Sequence, residues 1–118
     1  MDINQLAHWA DDVDYAVTIA DRNCTIIYMN QRSKATFCKN DENLIGRNLM
    51  ECHPEHARKI IRRLLEEGGS NAYTITKNGV NKLIFQSAWK FKGEIAGLVE
   101  TSMIMPPEMK HFNRDRKN

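Results

Sequence analysis

The stretch 15–30, Tyr-Ala-Val-Thr-Ile-Ala-Asp-Arg-Asn-Cys-Thr-Ile-Ile-Tyr-Met-Asn, most constrains what this chain can fold into. It holds two short apolar runs, residues 15–20 and 25–29, rich in β-branched and aromatic side chains that suit a pleated, half-buried surface. Between them stand Asp21, Arg22, Asn23 and Cys24. Asp and Asn bond to nearby backbone and accept tight turns, so the stretch predicts a β-hairpin. Asn30 follows at once, and its side-chain oxygen can accept a free N–H of a helical first turn. One segment therefore encodes hairpin, cap and helix start.

The remaining elements follow from periodicity and punctuation. Residues 3–13 predict an amphipathic helix, with Ile3, Leu6, Ala7 and Ala10 on one face. Residues 31–37 predict a short helix, 39–43 a polar loop and Gly46 a turn. Pro54 opens the longest helix, over 54–67, because a first-turn proline loses no helical hydrogen bond. Ala57, Ile60, Ile61, Leu64 and Leu65 make its apolar stripe, and Gly68-Gly69 ends it. Three strands are predicted after it, over 72–76, 81–91 and 95–105. Asn78-Gly79 favours a type I′ hairpin between the first two, Lys92-Gly93 turns the chain again, and Pro106-Pro107 ends the last. Hairpin connections make the sheet antiparallel, and the helices should share one face of it in an α+β domain. The organisation expected is a helix over 1–14, a domain over 15–105 and a polar basic tail over 106–118.

Composition narrows the function classes. A chain of 118 residues, 42% hydrophobic and 27% charged, is one domain able to form a core. A net charge of +2 is too small to point to nucleic acid, and no apolar run approaches the ~20 residues of a membrane span. Cys24, Cys38 and Cys52, an odd count with no secretion signal, argue for reduced thiols and a cytoplasmic protein. There is no nucleophile with a neighbouring base, no paired catalytic carboxylates and no phosphate-cradling loop; no enzymatic role is expected.

In order and spacing the chain resembles a PAS domain. The resemblance rests on the hairpin with Asn30 leading into a helix, on Leu44-Ile45-Gly46-Arg47-Asn48-Leu49, on the helix around 56–68 and on the closing run 78–105. It implies a five-stranded antiparallel sheet in the order 2-1-5-4-3 with helices on one face. It also implies a non-catalytic sensory module that signals through helix or dimer rearrangement, fused to an output domain or working with a separate output protein.

The expected pocket lies between the sheet and the helix that starts near Pro54, with candidates Ile60, Leu64, Phe85, Ser87, Trp89, Leu98 and Glu100. Ser87 interrupts the apolar row of Leu83, Phe85 and Trp89, as an orienting polar group in a ligand site would; ordinary core is the competing reading. Register decides the rest. A two-residue turn at Lys92-Gly93 sets Phe85 opposite Glu100, with Leu98 and Ser102 on the same side; a three-residue turn brings Val99, Thr101 and Met103 to that side. An inward Glu100 needs a partner, expected to be a ligand or a basic residue rather than Gln86.

Two alternatives accompany the small-ligand reading. A haem-binding gas or redox sensor would use His56, or else His53, as axial ligand. A pure interaction domain would have a filled core. Zinc is disfavoured for want of a second ligand pair beside Cys52, His53 and His56. Flavin photochemistry is disfavoured because Cys24 and Cys38 lie outside the motif it needs. A homodimer is expected through residues 3–13 and an outer sheet face carrying Ile84 and Ala88.

Overall fold

A computed structural model describes residues 8–40 and 42–116. Residues 3–7 of the helix expected over 3–13 lie outside them. The elements are β1 (Ala16–Asp21), β2 (Ile26–Met29), α1 (Gln31–Phe37), a 3₁₀ turn (Leu49–Cys52), α2 (Glu55–Glu67), β3 (Ser70–Lys77), β4 (Val80–Phe91) and β5 (Glu94–Ile104). The strands form one antiparallel sheet in the order β2-β1-β5-β4-β3.

Asn30 explains how the amino-terminal half is held. Its Oδ1 accepts from the Ser33 N–H, the cap of α1, and also from the Val17 N–H of β1, each at 2.9 Å. Its Nδ2 donates to the carbonyls of Ala10 and Tyr15. One fully buried amide thus joins the first strand, the segment before it and the first helix.

α2 lays Ile61 and Leu64 onto Ala20 and Leu98 of the sheet, and Ile26, Met29 and Leu49 complete the core. At this end the helix packs directly on the strands. The hairpins turn as their residues demand: Asn78-Gly79 and Lys92-Gly93 all hold positive φ, which type I′ geometry requires.

The faces of β4 correct the expected pocket wall. Ile84 and Gln86 are buried, at 5% and 2% exposure, whereas Phe85 is 41% exposed. Alternation places Leu83, Ser87 and Trp89 with Phe85 on the outer face, away from the helices. Ile84 and Ala88, expected outside, are on the helix side. Large apolar residues suggest the opposite assignment, but the inward polar Gln86 is fully partnered, bonding Glu100 and Asn71.

The last hairpin has the two-residue turn, with Phe91 opposite Glu94. Trp89 nevertheless pairs with Gly97 and Lys90 with Ile95, so Ala96 is an extra residue on β5. This bulge sets Phe85 opposite Thr101 and Gln86 opposite Glu100. The expected pairing of Phe85 with Glu100 is therefore one residue out, while Leu98, Glu100 and Ser102 do share one face.

Candidate functional site

The middle strands present a row of polar side chains to the helix side. Thr18 of β1, Glu100 of β5 and Gln86 of β4 are successive cross-strand neighbours, with Asn71 of β3 beyond. Gln86 Nε2 donates to Glu100 Oε2 at 2.9 Å, and Asn71 Nδ2 donates to Gln86 Oε1 at 3.1 Å. Gln86 is thus a direct partner of Glu100 inside the sheet, a role that sequence reasoning set aside.

His53 closes the row from above. Asn48 caps the 3₁₀ turn by accepting from the Met50 N–H, and that turn delivers His53 to the sheet just before α2. His53 Nε2 lies 3.5 Å from Glu100 Oε2, and Nδ1 lies 2.9 Å from the Leu49 carbonyl. Both ring nitrogens therefore face acceptors, which suits the doubly protonated imidazolium. Glu100 holds the His53 pKa above its ordinary value, with the Leu49 carbonyl acting in the same direction and burial opposing them. A raised folded-state pKa gives stability that is full below the unfolded value of about 6.5 and is lost as pH rises through the folded value. The gap in unfolding free energy between the protein and a His53→Gln variant should therefore narrow between pH 6 and pH 9. Urea titrations at a series of pH values measure it; a gap that widens with pH would contradict the pairing.

Beside this row is a cavity of about 390 Å³. Its apolar lining comes from Ile26, Met29, Phe37, Leu44, Leu49, Tyr73, Ile75 and Ile84. Thr18, His53, Lys82, Glu100 and Ser102 add polar groups. An apolar chamber of this size with a few convergent polar groups has the make-up of a small-molecule site. It is roofed by α1, residue 44 and the 3₁₀ turn rather than by the middle of α2. A second depression of about 450 Å³, lined by His56, Ala57 and Ile60, shares His53 and Tyr73 with it.

The expected site residues thus separate. Glu100 and His53 line the cavity. Leu64 and Leu98 are buried in the core, and Ile60 and His56 line the neighbouring depression. Phe85, Ser87 and Trp89 are on the other side of the sheet: the Ser87 hydroxyl donates to the Ala88 carbonyl, and Trp89 Nε1 donates to the Ala20 carbonyl. Tyr73 and Thr18 line the cavity without having been singled out, Ile84 does so although expected on the outer face, and Ser102 lies on the side that the two-residue turn expected.

The ring nitrogens of His53 are both engaged, and His56 is exposed on the first turn of α2. Cys52 also lines the cavity, but burial and Glu51 push its thiol pKa up, away from the reactive thiolate. Burial raises Cys24 to about 11. Among the described residues no cluster of His, Cys, Asp and Glu is suited to a metal, and no helix is long and apolar enough to cross a membrane.

A family model described as the PAS fold matches residues 10–68. No curated protein matches the chain. Solved structures do. The PAS domain of a Colwellia psychrerythraea protein is 16% identical, with a TM-score of 0.66 over 87% of this chain and 96% of that one. The PAS domain of the histidine kinase ThkA is 18% identical, with a TM-score of 0.61 over 77% and 99%. VqmA bound to DPO, a protein of Vibrio cholerae, is 19% identical, with a TM-score of 0.67 over 88% of this chain and 58% of that one. At these identities the likeness is one of fold.

Proposed function

Because the chain belongs to the PAS fold family, whose domains are typically sensory modules, we propose that it is a non-catalytic sensor that takes a small molecule into the 390 Å³ cavity. The observation that carries this reading is the convergence of Glu100, His53 and Ser102 on a largely apolar chamber. VqmA, which is similar in fold, is solved bound to DPO, and that likeness supports the reading. Binding would change the position of the 3₁₀ turn and α2, since His53 ties both to the sheet floor, provided the ligand favours one arrangement over another. The three free cysteines fit a cytoplasmic setting, and a separate output protein or fused domain would read the change.

A thermal-shift screen against small metabolites tests the reading. A ligand held at a hundred times its Kd should stabilise the protein by about 2.7 kcal/mol, which is a rise of several degrees in Tm. Ser102→Leu, which fills the chamber from its floor, should abolish the rise while circular dichroism shows the fold kept. An equal rise in the variant would place the ligand elsewhere.

The homodimer belongs to the same reading, through the outer sheet face. Phe85 and Phe91 are exposed there beside Trp89. Light scattering should give twice the 13.7 kDa chain mass, falling to one chain in Phe85→Glu. An unchanged mass in the variant would remove that face from the interface.

A further inference from the structure

The floor of the cavity states what kind of group the ligand brings to it. Glu100 Oε2 is occupied, by the Gln86 amide at 2.9 Å and by His53 at 3.5 Å. Glu100 Oε1 has no hydrogen-bond donor among the described residues, although the side chain is only 12% exposed. Two residues along the same face, Ser102 lines the same cavity at 8% exposure, and its hydroxyl has no hydrogen-bond partner among the described residues. Neither atom is sealed from solvent, since among the described residues no side-chain nitrogen or oxygen is both buried and unpartnered, so both are open to a donor that enters the cavity. The charge has a different status from the hydrogen bond. His53 already stands beside Glu100, and Lys77 and Lys82 also line the cavity with no ion-pair partner among the described residues. A cationic ligand would meet these basic groups, and an anionic one would meet Glu100 at the floor.

We propose that the ligand is a neutral, largely apolar molecule whose hydroxyl, amide or ring N–H donates to Glu100 Oε1, with Ser102 completing the hydrogen-bonding pair. Glu100 is then the specificity-determining residue of the site, and Gln86 is a positioning residue that fixes the carboxylate so that Oε1 faces the chamber. The assignment rests on the reading of the cavity as the ligand site.

Four matched probes test it by titration into ¹⁵N-labelled protein: benzyl alcohol, benzyl methyl ether, benzoate and benzylammonium. Benzyl alcohol should move the backbone amides of Ile84, Glu100 and Ser102. The ether, which lacks the donor, should bind there about tenfold more weakly or less, as should both charged probes. Glu100→Gln should weaken the alcohol toward the ether and leave the ether unchanged. Ser102→Ala, a smaller change that does not disturb the Gln86 bond, should weaken the alcohol in the same sense. If benzoate, benzylammonium or the ether moves those amides as strongly as the alcohol, the donor assignment is overturned while the cavity stands as a site. If no probe moves any cavity amide, the ligand reading falls and the donor assignment with it.

Discussion

Replacing Asn30 with leucine should lower the unfolding free energy by roughly 3–5 kcal/mol, the range of a broken buried polar network. The side chain is fully buried and makes four hydrogen bonds, to the N–H groups of Val17 and Ser33 and to the carbonyls of Ala10 and Tyr15. Leucine is close in size, so the loss is mainly one of hydrogen bonding. Four backbone groups are left without their partner in the protein interior, and each such group costs about 1–3 kcal/mol before any relaxation or entry of water. The loss of the cap alone accounts for about 1 kcal/mol. Asn30→Asp separates the two halves of the network: it keeps an acceptor for Val17 and Ser33 but sets a carboxylate against two carbonyl oxygens. It should therefore be destabilised as well, and more so at neutral pH than near pH 4, where protonation restores a donor. Urea unfolding followed by circular dichroism measures both. A loss under 1 kcal/mol for the leucine variant would show that Asn30 caps α1 and does little else.

Gly97→Ala should cost about 3 kcal/mol or more, at the upper end of overpacking, and lower Tm by at least about 10 °C. A Cβ at this position would stand 2.0 Å from the Ala20 carbonyl oxygen and 2.6 Å from Trp89 Nε1. The first contact is with the backbone of the paired strand and cannot be relieved by a rotamer change. The glycine is needed because Trp89 crosses β5 at this point to donate to the Ala20 carbonyl on β1. The bulge at Ala96 lies next to it, so the strain would fall where register is set. Gly97→Ala combined with Trp89→Phe separates the contributions. The double variant should recover only part of the loss, because the carbonyl contact remains. Wild-type stability in Gly97→Ala would mean that β1 and β5 lie farther apart at this point than the structure shows.

Much of the architecture was legible because its signals are local. Asn30 before a helix, Pro54 before α2, Gly68 after it and Asn78-Gly79 between strands each carry their own backbone chemistry. The strand order was legible only through the resemblance to a family, since pairing between β1 and β5 leaves no local mark. The site was less legible. Alternation along β4 offers two faces, and the heavier apolar one, with Phe85 and Trp89, is turned away from the helices. The inward face looked too polar to be inside because the Gln86–Glu100 bond that makes its burial tolerable depends on register. That register depends in turn on one extra residue, Ala96, in a stretch without a proline or polar turn residue to announce it. The 3₁₀ turn that brings His53 to the sheet is equally silent in sequence, although Asn48 two residues before Met50 is the cap that could have indicated it.

The central claim is that the helix-side face of the sheet, floored by Glu100, encloses a ligand chamber. A crystal structure of the protein soaked with the most stabilising compound from the thermal-shift screen tests it most directly. The account predicts density bounded by Ile84, Tyr73 and Ser102, with a donor atom within hydrogen-bond distance of Glu100 Oε1. Density lying instead on the outer face, against Phe85 and Trp89, would contradict it.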